Sequence, residues 1–98
     1  MNKVEYLLAC LVEECSEVQK AAASAMRFGL DDKGISEATA VKRLSRGCAD
    51  LLAAVQTLSD ERIIPLPRSR TLGASIEKSK AHILDSMEYA RERGTLKE

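Results

Sequence analysis

The stretch "LVEECSEVQKAAASAMRFG" sets three carboxylates, Glu13, Glu14 and Glu17, among apolar and small residues. On a helix, residues three and four apart share a face, so Leu7, Cys10, Glu14, Glu17 and Ala21 form one line. Glu14 and Glu17 project together from beside the apolar stripe, separated by about 4.5 Å of axial rise. Glu13 lies about 100° round from Glu14 and stacks over Glu17. Further along, Asp50 sits within the apolar run "CADLLAAV", on a line with Arg43, Gly47, Ala54 and Thr57. An unpaired carboxylate in apolar surroundings is expensive. Antiparallel packing of the two helices would bring Asp50 opposite Glu14 and Glu17. Like charges gathered in a partly desolvated groove repel unless a cation holds them. Oxygen-only ligands favour a hard ion, Mg²⁺ or Mn²⁺. The same acids also fit a solvated helix face, and spacing alone leaves both readings open.

The elements that must position these acids are helical. Val4, Leu7, Leu8, Leu11, Val12, Cys15 and Val18 recur in steps of three and four, which predicts an amphipathic helix from Asn2 to Phe28 with Gly29 as its stop. A second helix is expected from near Ser36, whose hydroxyl can cap it, to about Glu61, with a stripe running from Val41 through Leu44, Cys48, Leu51, Leu52 and Val55 to Leu58. Pro65 and Pro67 forbid regular helix and suggest a tight crossing over the bundle. A third helix is expected from about Leu72 or Ser75 to Arg91, with Ile76, Ile83, Leu84, Met87 and Ala90 on its apolar side and Gly94 as a stop. No strand pattern is longer than "RIIPL". The reading is all-α: one domain over residues 1–98, an antiparallel bundle of about three main helices completed by a second subunit.

Composition narrows the function. Ninety-eight residues build only a modest core, so oligomerisation is expected. Fifteen basic and fifteen acidic residues cancel, which argues against a nucleic-acid or membrane-surface binder. No apolar run approaches the roughly 20 residues of a membrane span, and no signal-like pattern opens the sequence, so a cytoplasmic chain is expected. Cys10, Cys15 and Cys48 form no metal-binding spacing and are expected as buried free thiols. His82, the sole histidine, has no dyad partner beside it.

"EECSE" followed by "GCADLL" resembles the paired EExxE and ExxD motifs of the MazG-like, all-α nucleoside triphosphate pyrophosphohydrolases. "RFGLDD" and "IEKSKAHILDSMEYARERGTL" look like the corresponding segments of short, phage-type members, so the likeness runs from about Leu7 to Leu96. One position departs: the glutamate of ExxD falls at Gly47, where a mid-helix glycine also costs about 1 kcal/mol relative to alanine. The resemblance implies Mg²⁺- or Mn²⁺-dependent hydrolysis of a nucleoside triphosphate at the α-phosphorus, giving the monophosphate and pyrophosphate in the (host) cytoplasm. It implies Glu14, Glu17 and Asp50 as metal ligands, and Glu13 as a further ligand or a residue that orients water. Lys20, one turn beyond Glu17, is the first candidate for the phosphate tail, followed by Arg27, Lys78 and Lys80. A homodimer or homotetramer is implied, and dGTP is one candidate substrate. The alternative is a non-enzymatic helical interaction module whose site is degenerate at Gly47.

Overall fold

A computed structural model describes residues 1–66 and 69–97. Three helices follow one another, α1 (Lys3–Phe28), α2 (Ala40–Asp60) and α3 (Ser69–Arg93). The described residues contain no strand, and "RIIPL" begins in the turn that closes α2. No described helix is long and apolar enough to cross a membrane. The chain divides into two compact units, Met1–Pro65 and Leu66–Glu98.

In the first unit α1 and α2 form a hairpin. Asn2 caps α1, its side chain accepting from the Glu5 amide at 2.8 Å. The helix stops where expected, with the Gly29 amide donating to the Ala25 carbonyl. The second helix begins four residues later than Ser36. That hydroxyl accepts instead from the Ala38 amide at 3.2 Å, holding a turn, and Thr39 caps α2 by accepting from the Lys42 amide at 3.3 Å. Ser and Thr serve local turns and helix caps by the same chemistry, and here the cap is Thr39 rather than the expected Ser36.

The contacts across the hairpin step in opposite directions along the two helices. Lys3 pairs with Glu61 at 3.1 Å, Gly47 lies against Val18, and an Arg43 Nη donates to Ser24 Oγ at 3.4 Å. The helices are therefore antiparallel. Small residues set the crossing: Ala21 and Gly47 are both buried, and a Cβ on Gly47 would lie 3.2 Å from Val18 Cγ2. Leu58 and Ala40 complete the fully buried set, while Leu7, Leu11, Val18, Leu51 and Val55 are half-buried.

Leu44 and Cys15 are half-buried as well, and the rest of the predicted stripes on α1 and α2 faces outward. Val12 is 68% and Leu52 61% exposed, and Val4, Leu8, Val41 and Cys48 are exposed too. Cys10 and Cys15 are half-buried, so Cys48 departs from the expectation of three buried thiols. Packing one helix against one other covers a single narrow seam, whereas a stripe of this width serves two neighbours.

Both hairpin and third helix close by the same capping geometry. At the end of α2 the Ile63 amide donates to the Leu58 carbonyl and the Arg62 amide to Ser59, with Arg62 at φ 59°. At the end of α3 the Thr95 amide reaches Ala90 and the Gly94 amide Arg91, with Gly94 at φ 78°. This paired pattern needs one left-handed residue, which glycine adopts freely and arginine does not. Both ends fall near where they are expected, about Glu61 and Gly94, but only Gly94 announced the left-handed residue that makes the turn.

In the second unit, α3 starts earlier and ends later than its stripe suggests. Met87 and Ala90 are half-buried, while Ile76, Ile83, Leu84 and Tyr89 are exposed. Pro65 lies in the segment after α2, whereas Pro67 lies outside the described residues.

Candidate functional site

The groove between α1 and α2 collects the charged residues that the helical register aligns. Its central cavity, about 370 Å³, is lined by Glu14, Glu17, Lys20 and Ala21 from α1 and by Arg43, Arg46, Gly47 and Asp50 from α2. A second cavity, about 280 Å³, continues toward the α1 N-terminus along Leu7, Cys10, Ala53, Ala54 and Thr57, and shares Glu14 and Asp50 with the first. A third lies toward the α1–α2 loop, along Ser24, Phe28, Lys33, Gly34, Ile35 and Ser36, and shares Arg43.

Helix periodicity explains why these side chains meet. Leu7, Cys10, Glu14, Glu17, Ala21, Ser24 and Phe28 follow one another by three or four residues along α1. On α2, Arg43, Arg46, Asp50, Ala54 and Thr57 do the same in the opposite sense, with Ala53 beside them, three residues beyond Asp50. Acids and bases then separate along the groove. Glu14, Asp50 and Glu17 come first, and Lys20, Arg43 and Arg46 lie about one to two turns nearer the loop.

Only Glu14 of the three aligned acids is half-buried; Glu17 and Asp50 are exposed. The expectation that Asp50 is desolvated by "CADLLAAV" therefore fails. Its sequence neighbours Cys48, Ala49 and Leu52 point elsewhere and are themselves exposed. Among the described residues, no three His, Cys, Asp or Glu side chains are gathered closely enough to hold a metal ion. The donor chemistry nonetheless suits a hard dication, because the acids on the facing walls of this groove are all carboxylates.

Glu13 is exposed and lines none of these three cavities. Lys20 lines the central cavity. Arg27 also lines none of them; its guanidinium lies over the Phe28 ring, 4.9 Å from the centroid. Phe28 is 61% exposed, so it does not anchor the helix end in a core. Lys78, Lys80 and His82 belong to α3, where all three are exposed and Lys80 pairs with Glu77 at 3.2 Å.

Two residues of the groove were not among the expected phosphate ligands, Arg43 and Arg46. The signal was present, since Arg46 stands four residues and Arg43 seven residues before Asp50 on the same helical side. Arg43 is half-buried, and its Nε finds no acceptor among the described residues. A buried donor without an acceptor costs about 1–3 kcal/mol, which an anionic oxygen would recover.

Comparison of the chain with family models, with curated proteins and with solved structures returned no match.

Proposed function

We propose that this chain is a metal-dependent phosphohydrolase whose site is the α1–α2 groove. Within that class, the reading best supported is a nucleoside triphosphate pyrophosphohydrolase. The observation that carries it is the ordered lining of one cavity: Glu14, Glu17 and Asp50 beside Lys20, Arg43 and Arg46. Acids alone suit a cation and bases alone an anion; the two side by side suit a polyphosphate carrying its dication. The sequence resemblance to MazG-like enzymes points the same way.

In this reading Glu14, Glu17 and Asp50 would supply the oxygen ligands of Mg²⁺ or Mn²⁺, drawn closer together by the ion than they stand without it, and the ion would supply neutralisation of phosphate charge and activation of water. Lys20, Arg43 and Arg46 grip the β- and γ-phosphates and stabilise charge that grows on the departing pyrophosphate. Arg43 is the best placed, because half-burial and its bond to Ser24 fix the guanidinium before substrate arrives. The water oxygen bonds to the α-phosphorus, the α–β bridging P–O bond breaks with its electron pair leaving on pyrophosphate, and of the two protons of water one passes to solvent and the other to the departing pyrophosphate.

Purified protein with Mg²⁺ or Mn²⁺ and each nucleoside and deoxynucleoside triphosphate, dGTP included, is expected to release pyrophosphate with at least one of them. Orthophosphate as the first product would indicate phosphatase chemistry. No turnover with any nucleotide would favour a helical interaction module.

The chain is also proposed to work as a homodimer or homotetramer. The support is the exposed second stripe of the hairpin, Leu8 and Val12 on α1 with Cys48 and Leu52 on α2. Contiguous exposed apolar surface on a small chain marks an interface. Sedimentation equilibrium is expected to give two or four times the chain mass of 10.7 kDa, and a value equal to one chain would contradict this.

A further inference from the structure

The groove has a direction, and the direction assigns its uncharged end. From the α1 N-terminus toward the loop the lining changes from Leu7, Cys10, Ala54 and Thr57 to the acids Glu14 and Asp50, and then to Lys20 and Arg46. On α1, Cys10 lies about 6 Å before Glu14 and Lys20 about 9 Å beyond it along the axis. We propose that the 280 Å³ cavity lined by Leu7, Cys10, Ala53, Ala54 and Thr57 is the nucleoside subsite, so that substrate lies with its base toward the α1 N-terminus. This assignment rests on the pyrophosphohydrolase reading of the central cavity.

Two physical arguments fix the polarity. The β- and γ-phosphates carry most of the negative charge, and the groove cations all lie on the loop side of Glu14 and Asp50. The reverse orientation would push the terminal phosphate past the carboxylates into a cavity with no cation among its lining residues. Attack at the α-phosphorus also requires the acids to stand between nucleoside and pyrophosphate. Only an uncharged subsite beyond Glu14 and Asp50 meets that order. The lining suits a base and sugar: small apolar walls, a half-buried thiol at Cys10, and Thr57, whose hydroxyl donates to the Ala53 carbonyl at 2.8 Å and keeps its lone pairs as acceptors. Cavities of about 370 and 280 Å³ are each small for a whole nucleotide, and they adjoin through shared residues.

Thiol footprinting tests this. Iodoacetamide alkylation of Cys10 is followed by mass spectrometry, with exposed Cys48 as the internal reference. Mg²⁺ and the non-hydrolysable α,β-imido triphosphates of the four deoxynucleosides are added in turn, with inorganic tripolyphosphate as the control. At least one nucleotide is expected to slow Cys10 about tenfold relative to Cys48, while tripolyphosphate changes it less than about twofold, since only the nucleoside fills this cavity. A variant supplies a second reading: Ala53→Leu, at an exposed wall position, is expected to raise KM about tenfold with kcat and melting temperature kept. An unprotected Cys10, or protection by tripolyphosphate equal to that by nucleotide, overturns the subsite. Pyrophosphate release by the wild-type protein then decides separately whether the reading of the reaction falls with it.

Discussion

Glu14→Gln is expected to lower kcat/KM by more than about 100-fold, beyond the loss typical of a residue that only supports a metal ligand. The same change leaves the melting temperature equal or slightly higher. Glu14 is the half-buried acid of the groove and borders both the central cavity and the neighbouring one toward the α1 N-terminus. If it holds a dication, the amide keeps the shape and loses the charge that binds the ion. Removing one of several like charges along a groove relieves repulsion in the unloaded protein, so stability does not fall with activity. Asp50→Asn is expected to behave in the same way. A merely structural glutamate would give the opposite signature, lower stability with activity in proportion. Retained activity in Glu14→Gln, measured at saturating Mg²⁺, would remove this residue from the site.

Gly47→Ala is expected to destabilise the hairpin, although alanine is the better helix former by about 1 kcal/mol. The new Cβ would stand 3.2 Å from Val18 Cγ2, tighter than most packed Cβ contacts, so the neighbour must give by a few tenths of an ångström. Valine is stiff at χ1 on a helix and cannot readily swing that methyl aside, so the adjustment falls on the packing of the two helices. Overpacking of this kind costs about 1–3 kcal/mol, which leaves a net loss on the order of 1 kcal/mol after the propensity gain. A loss of that size lowers the melting temperature by about 4–8 °C. Val18→Ala in the same chain removes the obstructing methyl, so the double variant is expected to exceed the sum of the singles by about 1 kcal/mol. Additive melting shifts would contradict the close-approach role.

That role changes what Gly47 means. Against the ExxD pattern it is a missing ligand; against α1 it is the residue that lets the facing walls of the groove come together. Gly47→Glu, which completes the motif, places its Cβ against Val18 and is expected to share the stability loss of Gly47→Ala. Glu13 is exposed and does not line the cavity. The groove therefore works in this account with three carboxylates.

The helices were legible because their apolar residues recur at helical spacing and because Asn2, Gly29 and Gly94 mark three of the ends. The α2 start was not, because Ser36 and Thr39 both carry a capping hydroxyl and only the fold chooses Thr39. The Arg62 turn was hidden by a residue that rarely takes a left-handed conformation. At the site, the line from Leu7 through Glu14 and Glu17 and its counterpart through Asp50 could be read by counting threes and fours. The exposure of Asp50 could not, since apolar neighbours in sequence occupy other faces of the helix. Arg43 and Arg46 lay in the same register as Asp50 and required only that the counting be carried one and two turns back.

Hydrolysis in ¹⁸O-labelled water, with Mg²⁺ and a nucleotide from which the protein releases pyrophosphate, tests the central claim most directly. The account predicts one ¹⁸O atom in the nucleoside monophosphate and none in the pyrophosphate, because water attacks the α-phosphorus held at Glu14, Glu17 and Asp50. Label in the pyrophosphate or in orthophosphate would contradict it.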